Sequence, residues 1–421
     1  MPKFINFAKV RNNIAGLNFP LFLANRINIK GQRTFSKLIV RVTIGALSIA
    51  IIAILLSVAI LRGFKEEITT KQRGFFGDII ITKQTLADYD LVPLLLTDSQ
   101  TTKLLSHPNI ESIHGFATKV GIINVNSEVE GVMLKGVEPD YDQFFLKNSL
   151  LEGEALDLSA ENADQQLLIS YYLANRLHLK VGDDIIMSFV QDNRTRKRKF
   201  LIKGIYRTNS DDWDKNYVVG SIETIRRLNQ LLDNEVGAYE VRVKDFNQLI
   251  ETTDAVNEEI PVSLKATNLV EYWADVFNWL DMLDMNDDII FVLMVIVAVI
   301  NMISSLLITI LERTNMIGIL KALGMNNTAL RRVFMLNSLY VIGYGLAIGN
   351  TIAFILYFFQ RTTHFFKLDP SIYYLEYVPM HIDFLTVLIL NVSVIVLVFL
   401  TTIIPSMLIT RISPIKTIQF K

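Results

Sequence analysis

Four uncharged, strongly apolar runs constrain this chain more than any other feature: residues 42–61, 289–311, 333–359 and 384–410. A helix rises about 1.5 Å per residue and a bilayer's hydrocarbon core is about 30 Å thick, so each run is long enough to cross it. With 51% hydrophobic residues and a mean hydropathy of +0.35, the 421-residue chain is too apolar for a single soluble globule unless its apolar residues are concentrated, and these runs concentrate them. Between the first two lie 227 residues with no comparable stretch. The net charge of −1 hides an asymmetry. Residues 1–41, 312–332 and 411–421 together hold 15 Lys/Arg and a single acid, Glu312, whereas residues 62–288 with 360–383 hold 26 basic and 41 acidic residues. The positive-inside rule puts the basic segments on the cytoplasmic side, so four crossings leave both termini there and residues 62–288 outside.

The first 41 residues contain no acid. Asn18 and Pro20 form a helix-start signal, and Phe19, Phe22 and Leu23 with Arg26 and Lys30 suggest a short helix lying on the membrane surface. The run at 42–61 is too long, and its basic lead too extended, for a cleaved leader, so it reads as an anchor. From residue 62 the periodicities shorten. Strands are expected at 79–82, 120–125 and 131–135, the last two paired across Asn126, Ser127 and Glu128. A helix at 170–179 precedes strands at 185–190 and 200–206, separated by a basic turn containing Arg194, Arg196, Lys197, Arg198 and Lys199. A strand at 217–219 leads into helix 222–232, strand 238–243, helix 246–258 and strand 261–264. Residues 268–287 read as helical, with Tyr272, Trp273, Phe277 and Trp279 as interfacial anchors. The expected fold is an α-helical membrane protein with four transmembrane helices and a large α+β extracytoplasmic domain between the first and second.

The stretch joining the second and third runs is the most organised polar segment. After Glu312, Arg313 and Thr314, the apolar residues Met316, Ile317, Ile319, Leu320 and Leu323 follow helical spacing. Gly324 then stops the helix. Asn326, Asn327 and Thr328 offer N-cap chemistry for the next helix, which carries Arg331 and Arg332. A bent, amphipathic, partly basic connector is what a docking surface needs; the competing reading is an ordinary short loop at a basic membrane face. Enzymatic signals are missing: the chain has no P-loop and no H-E-x-x-H, and His107, His114, His178, His364 and His381 show no metal-ligand spacing. Ser413 and Lys416 match S-x-x-K by chance on a tail. The basic run at 194–199 sits in a region of net charge −14, so it reads as a solvated hairpin or a protein contact rather than a nucleic-acid site. No cysteine is present, which removes disulfides and thiolate metal sites. Within the spans, Asn301, Asn337, Asn350 and Asn391 need amide partners, and Gly345 and Gly349 form a small-residue face.

Asn301, Ser304 and Ser305, followed by Glu312, Arg313, Ile317, Gly318, Leu320, Ala322 and Gly324, match the E-R-x-x-x-I-G-x-L-x-A-x-G connector of a known family. On these residues the chain resembles the type VII ABC transporter permeases, which include the LolC and LolE subunits, the MacB exporters and FtsX. Gly345, Gly349, Pro405, Arg411, Pro414 and Ile415 extend the resemblance, and Ala24–Arg26, Gly63 and Phe64 are similar to the Lol branch. Met316 departs from the acid usual at its position. The resemblance implies a non-catalytic permease in the inner membrane that binds no cofactor itself. ATP-Mg would be hydrolysed by a separate cytosolic LolD-like ABC ATPase seated on Glu312, Arg313, Ile317, Gly318, Leu320, Ala322, Gly324 and Arg331. It also implies a second permease subunit, same or related, a lipoprotein substrate taken from membrane lipid, and a LolA-like periplasmic carrier. The segment 191–199 is short and proline-free where the LolC type carries an extended hook. The alternatives are a MacB-like exporter of peptides or small molecules and an FtsX-like regulator of an external hydrolase. The expected division is 1–37 cytoplasmic with an interfacial helix, 38–61 first span, 62–288 periplasmic domain with stalks, 289–311 second span and 312–332 coupling connector. The remainder is 333–359 third span, 360–383 periplasmic loop, 384–410 fourth span and 411–421 cytoplasmic tail.

Overall fold

The computed structural model describes residues 34–84, 92–125, 128–191, 194–369, 373 and 375–412. The expected surface helix near Asn18–Lys30 and the tail residues Ser413, Pro414, Ile415 and Lys416 lie outside them. In chain order the principal elements are α1 (Thr34–Phe76), β1 (Ile79–Lys83), α2 (Asp98–Leu105), β2 (Ile110–Val125), β3 (Glu128–Val137), β4 (Leu150–Gly153), β5 (Gln166–Ser170) and α3 (Tyr171–Leu177). There follow β6 (Asp184–Gln191), β7 (Arg194–Tyr206), α4 (Asp211–Asn216), β8 (Tyr217–Ser221), α5 (Ile222–Asn229), β9 (Ala238–Val243), α6 (Leu249–Glu259) and β10 (Leu264–Asn268). The chain continues through α7 (Ala274–Glu312), α8 (Thr314–Ala322), α9 (Asn327–Thr363), α10 (Phe384–Ser406) and α11 (Leu408–Arg411). Two compact units result. One takes the described residues up to Phe64, Asp281–Phe365 and those from Pro379 onward; the other takes Lys65–Leu280 with Phe366–Val378.

The strand unit is built on one long strand with three neighbours. The first half of β2 pairs with β9, its second half with β3, and Ile122 and Ile123 also pair with β6. Following the ladders from β2 through β3, β8, β5, β7 and β6 returns to β2, a closed circuit of six strands. Closure leaves those strands without a free edge, the position from which sheets aggregate. The period of two makes the interior: Ile123, Leu134, Leu167, Ile169, Met187, Phe189, Phe200, Ile202 and Val218 are all fully buried. Gly121 is required there, because a Cβ would lie 2.8 Å from Met187 Cε and 2.9 Å from Phe189 Cε1. Outside the circuit, β9, β1 and β10 extend from β2, and β4 is added to β7.

A buried ion pair beneath the end of α1 and a part-buried one within it and the turn that follows hold α1 against this sheet. Lys135 Nζ donates to Glu240 Oε1 at 2.6 Å and sits 4.9–5.6 Å from the rings of Phe75, Phe76, Phe116 and Tyr141. Burial pulls the Lys135 pKa down and Glu240 opposes that pull. Arg73 grips Asp78, which also accepts from the Val243 N–H at 2.8 Å.

Several expectations are corrected. The basic segment 194–199 is strand rather than turn: β6 and β7 pair from Gln191↔Arg194 onward, so the hairpin is tight. The β2–β3 connection closes at Val125↔Glu128, one residue earlier than expected. The strand expected at 261–264 begins at Leu264, because Pro261 has no N–H to give a ladder and instead accepts the Leu264 N–H in a turn. Helix 222–232 stops at Asn229, with Gln230 left-handed at φ 57°. Helix 268–287 breaks at Trp273, and Trp273 and Phe277 pack against Phe76 and Phe246 inside the strand unit, so they are core rather than interfacial anchors. The described residues of 366–378, within the expected loop 360–383, group with the strand unit, where Glu376 pairs with Arg207 at 2.8 Å.

Among the described residues four helices are long and apolar enough to cross a membrane: residues 38–76, Ala274–Glu312, Asn327–Thr363 and residues 384–411. Leu47 and Ile51 of α1 fill the notches of α9 at Gly345 and Gly349, where a Cβ would lie 2.6 Å and 2.8 Å from them. Ser48 Oγ donates to Gly345 O at 3.0 Å. Asn350 and Asn391 exchange amide hydrogen bonds at 2.8 and 3.0 Å between α9 and α10.

Candidate functional site

Continuous helix ends at Glu312. Arg313 turns the chain at φ −97°, ψ 12°, and α8 begins at Thr314. The far end of α8 is closed by backbone chemistry. Gly324 is left-handed at φ +91°, Met325 N–H donates to Leu320 O at 3.0 Å and Gly324 N–H to Lys321 O at 3.0 Å, the paired bonds of a Schellman turn. Asn326 then caps α9, its side chain accepting the Ala329 N–H at 2.8 Å.

The apolar residues of α8 divide between two faces. Ile317 is 0% exposed and packs with Leu306, Ile310, Leu330, Phe334 and Ile409, with Met316, Leu320, Met325 and Ile412 around that cluster. Gly318 is buried on the same side. Ile319 and Leu323, expected on that face, point outward instead and are 52% and 79% exposed. Leu311, in the last turn of α7, is 70% exposed, and Ala322 and Gly324 are exposed beside Ile319 and Leu323. Glu312, Arg313, Leu320 and Arg331 are half-buried, and Arg331 Nε lies 3.4 Å from Ser406 Oγ. The eight residues expected to contact a partner therefore separate: Ile317 and Gly318 are inside, Ala322 and Gly324 outside, and four lie between.

The residue that sequence reasoning passed over is Lys321. Its ammonium donates to Ile409 O at 2.7 Å, Ile412 O at 2.9 Å and Thr410 O at 3.4 Å, so the connector is tied to the end of the fourth apolar helix. Burial lowers its pKa. A lysine in a helix's last turn ahead of a stop glycine hints at carbonyl capping, but its acceptors are 88–91 residues away.

Among the expected packing residues, Gly345 and Gly349 sit against α1 as described, Ser305 is buried and Asn301 half-buried. Ser304 is exposed, for a simple reason. Ala298, Met302, Ser305, Leu306 and Thr309 form the inward stripe of α7, and one residue's rotation of about 100° puts Ser304 off it. Among the described residues no group of His, Cys, Asp and Glu could hold a metal.

Four described helices long and apolar enough to cross a membrane, with a bent, two-faced connector between the second and third and a separate strand unit, describe a polytopic membrane protein. Two family models match: MacB-like periplasmic core domain over residues 42–259 and FtsX-like permease C-terminal over residues 289–414. The chain belongs to this MacB/FtsX-like permease family. It is similar to the lipoprotein-releasing system transmembrane protein LolC of Neisseria meningitidis, 20% identical over 94% of this chain and 97% of that one. It is also similar to LolE of Haemophilus influenzae, 20% identical over 75% and 79% of the two chains. A crystal structure of the periplasmic region of MacB from Actinobacillus actinomycetemcomitans matches 49% of this chain and 95% of that one at 14% identity, with a TM-score of 0.34.

Proposed function

We propose that this chain is the permease subunit of an ABC system that releases lipoproteins from the inner membrane. It carries the connector on the cytoplasmic side and the strand unit in the periplasm, between the first and second spans. The observation that carries the reading is the division of the connector into a buried face, Ile317 and Gly318, and an exposed apolar stripe, Ile319 and Leu323, with Leu311 exposed at the end of α7. An aqueous surface gains nothing from such a stripe, whereas a partner's groove does. The stripe is the seat of a separate cytosolic ATPase, which supplies ATP-Mg chemistry that this chain has no P-loop to perform. Similarity to the lipoprotein-releasing proteins LolC and LolE over most of the chain supports lipoprotein as the substrate; a second permease subunit as partner and a LolA-like carrier as recipient complete the reading. ATP-driven closure of the ATPase pair moves the connector, and the movement reaches the periplasmic unit along the helices rather than through a solute pore.

Replacing Leu323 by Asp removes an exposed apolar contact without touching the buried cluster. The L323D protein is expected to fold and insert normally but to lose most of its co-purifying ATPase and to leave lipoproteins in the inner membrane. Retention of both the ATPase and lipoprotein release would refute the stripe as the seat. Depletion of the protein without any stranding of lipoproteins would refute the substrate.

A further inference from the structure

The connector has three attachments. Two are covalent: the bend at Arg313 into α7 and the turn at Gly324 into α9. The third is Lys321. The last carbonyls of a helix have no donors within it, and a cation placed there meets the negative end of its dipole. Lys321 fills this role for α11 from another part of the chain, donating to Ile409, Thr410 and Ile412. The fourth span needs such a tie. Pro405 lies inside α10, where it cannot donate to the carbonyl four residues earlier, and the single residue Met407 separates α10 from Leu408–Arg411. Ile317 and Ile409, both 0% exposed, pack in one cluster beneath the clamp. Gly324, by contrast, has nothing within 4 Å of where a Cβ would be, so little crowds the α8–α9 turn.

We propose that Lys321 is a positioning residue that carries connector movement into the fourth span: α8 and residues 408–412 move as one piece. The proposal deepens the permease reading and rests on it. Without the clamp, a push on α8 is spent turning it about Gly324. With the clamp, it drags the end of the fourth span as well.

The test uses the whole permease with its ATPase, reconstituted in phosphatidylethanolamine and phosphatidylglycerol vesicles with a labelled triacylated lipoprotein. Wild type reports on the permease reading alone: ATP hydrolysis with no release sinks that reading and leaves the clamp to be judged by distance. For K321M, assembly with the ATPase and ATP hydrolysis stay near wild type. Lipoprotein released per ATP falls about tenfold, the effect expected when hydrogen bonds from a charged group are removed. K321R keeps the donors and restores most of the yield. Independently of any substrate, spin labels on A322C and R411C, in a chain with no other cysteine, report the separation of the two pieces with and without a non-hydrolysable ATP analogue. The separation stays fixed in the wild-type background and changes with nucleotide in K321M. The proposal is overturned by wild-type release per ATP in K321M, by a nucleotide-dependent separation in the wild-type background, or by a loss of assembly in K321M that K321R does not repair.

Discussion

The two ends of the membrane-helix unit are held together by different physics. At the connector end, α7, α8, α9 and α11 share an apolar cluster closed by the Lys321 clamp. At the opposite end, α1 meets the segment before α10 through polar and backbone contacts. His381 N–H donates to Ala59 O at 2.9 Å, and Arg62 reaches Asp383 at 3.2 Å with about half of each side chain exposed. Gly63 lies where a Cβ would be 2.6 Å from Pro379 O. Burial makes the first end stiff, whereas solvent screening leaves the second end dependent on shape rather than charge. A machine driven at one end and yielding at the other would have this distribution.

The largest effect is expected from emptying the buried cluster. Ile317→Ala should lower unfolding stability in detergent by about 2–5 kcal/mol, the usual range for a fully buried aliphatic side chain. A loss comparable to that of a surface mutation would remove the distinction between the ends. Next comes Gly63→Val, which forces the backbone around Pro379 to shift, with an expected cost of about 1–3 kcal/mol. A neutral result would mean that the polar end accommodates crowding freely. Arg62→Ala should shift the unfolding midpoint only slightly, since about half of each partner's side chain is exposed and the pair is screened. The smallest effect is on pH. Hydrogen bonds from Thr386, chiefly, hold the Asp383 carboxyl below the usual carboxylate range. A depressed pKa in the folded state gives stability that is present above the ordinary carboxylate value and is lost as pH falls through the folded value. Between pH 8 and 5 the Asp383 contribution should therefore stay constant; a midpoint in that window that D383N abolishes would contradict the assignment.

Local chemistry was readable from the sequence, and distant pairing was not. The stop at Gly324, the cap at Asn326, and β1 and β9 within a residue of their bounds all follow from neighbouring residues. The strand β5 was missed because Gln166–Ser170 is only five residues, fully buried, without the alternation that marks a half-exposed strand. Closure of the six-strand circuit depends on β2 having three neighbours, a property of pairing that no local pattern encodes. In the connector, periodicity identified α8 but not which apolar residues faced inward, since Ile317 and Ile319 both fit a broad helical stripe. Lys321 was invisible for the same reason as the circuit: its meaning lies in carbonyls almost ninety residues downstream.

The amide exchange between Asn350 and Asn391 has a consequence for how the third and fourth helices travel. Each amide also donates to the carbonyl four residues earlier, at Leu346 and Val387, so both of its protons and its oxygen are committed. Sliding one helix along the other by a turn would strand the two amides in hydrocarbon with no water to replace the lost bonds. The pair therefore pins the register of these two helices against sliding.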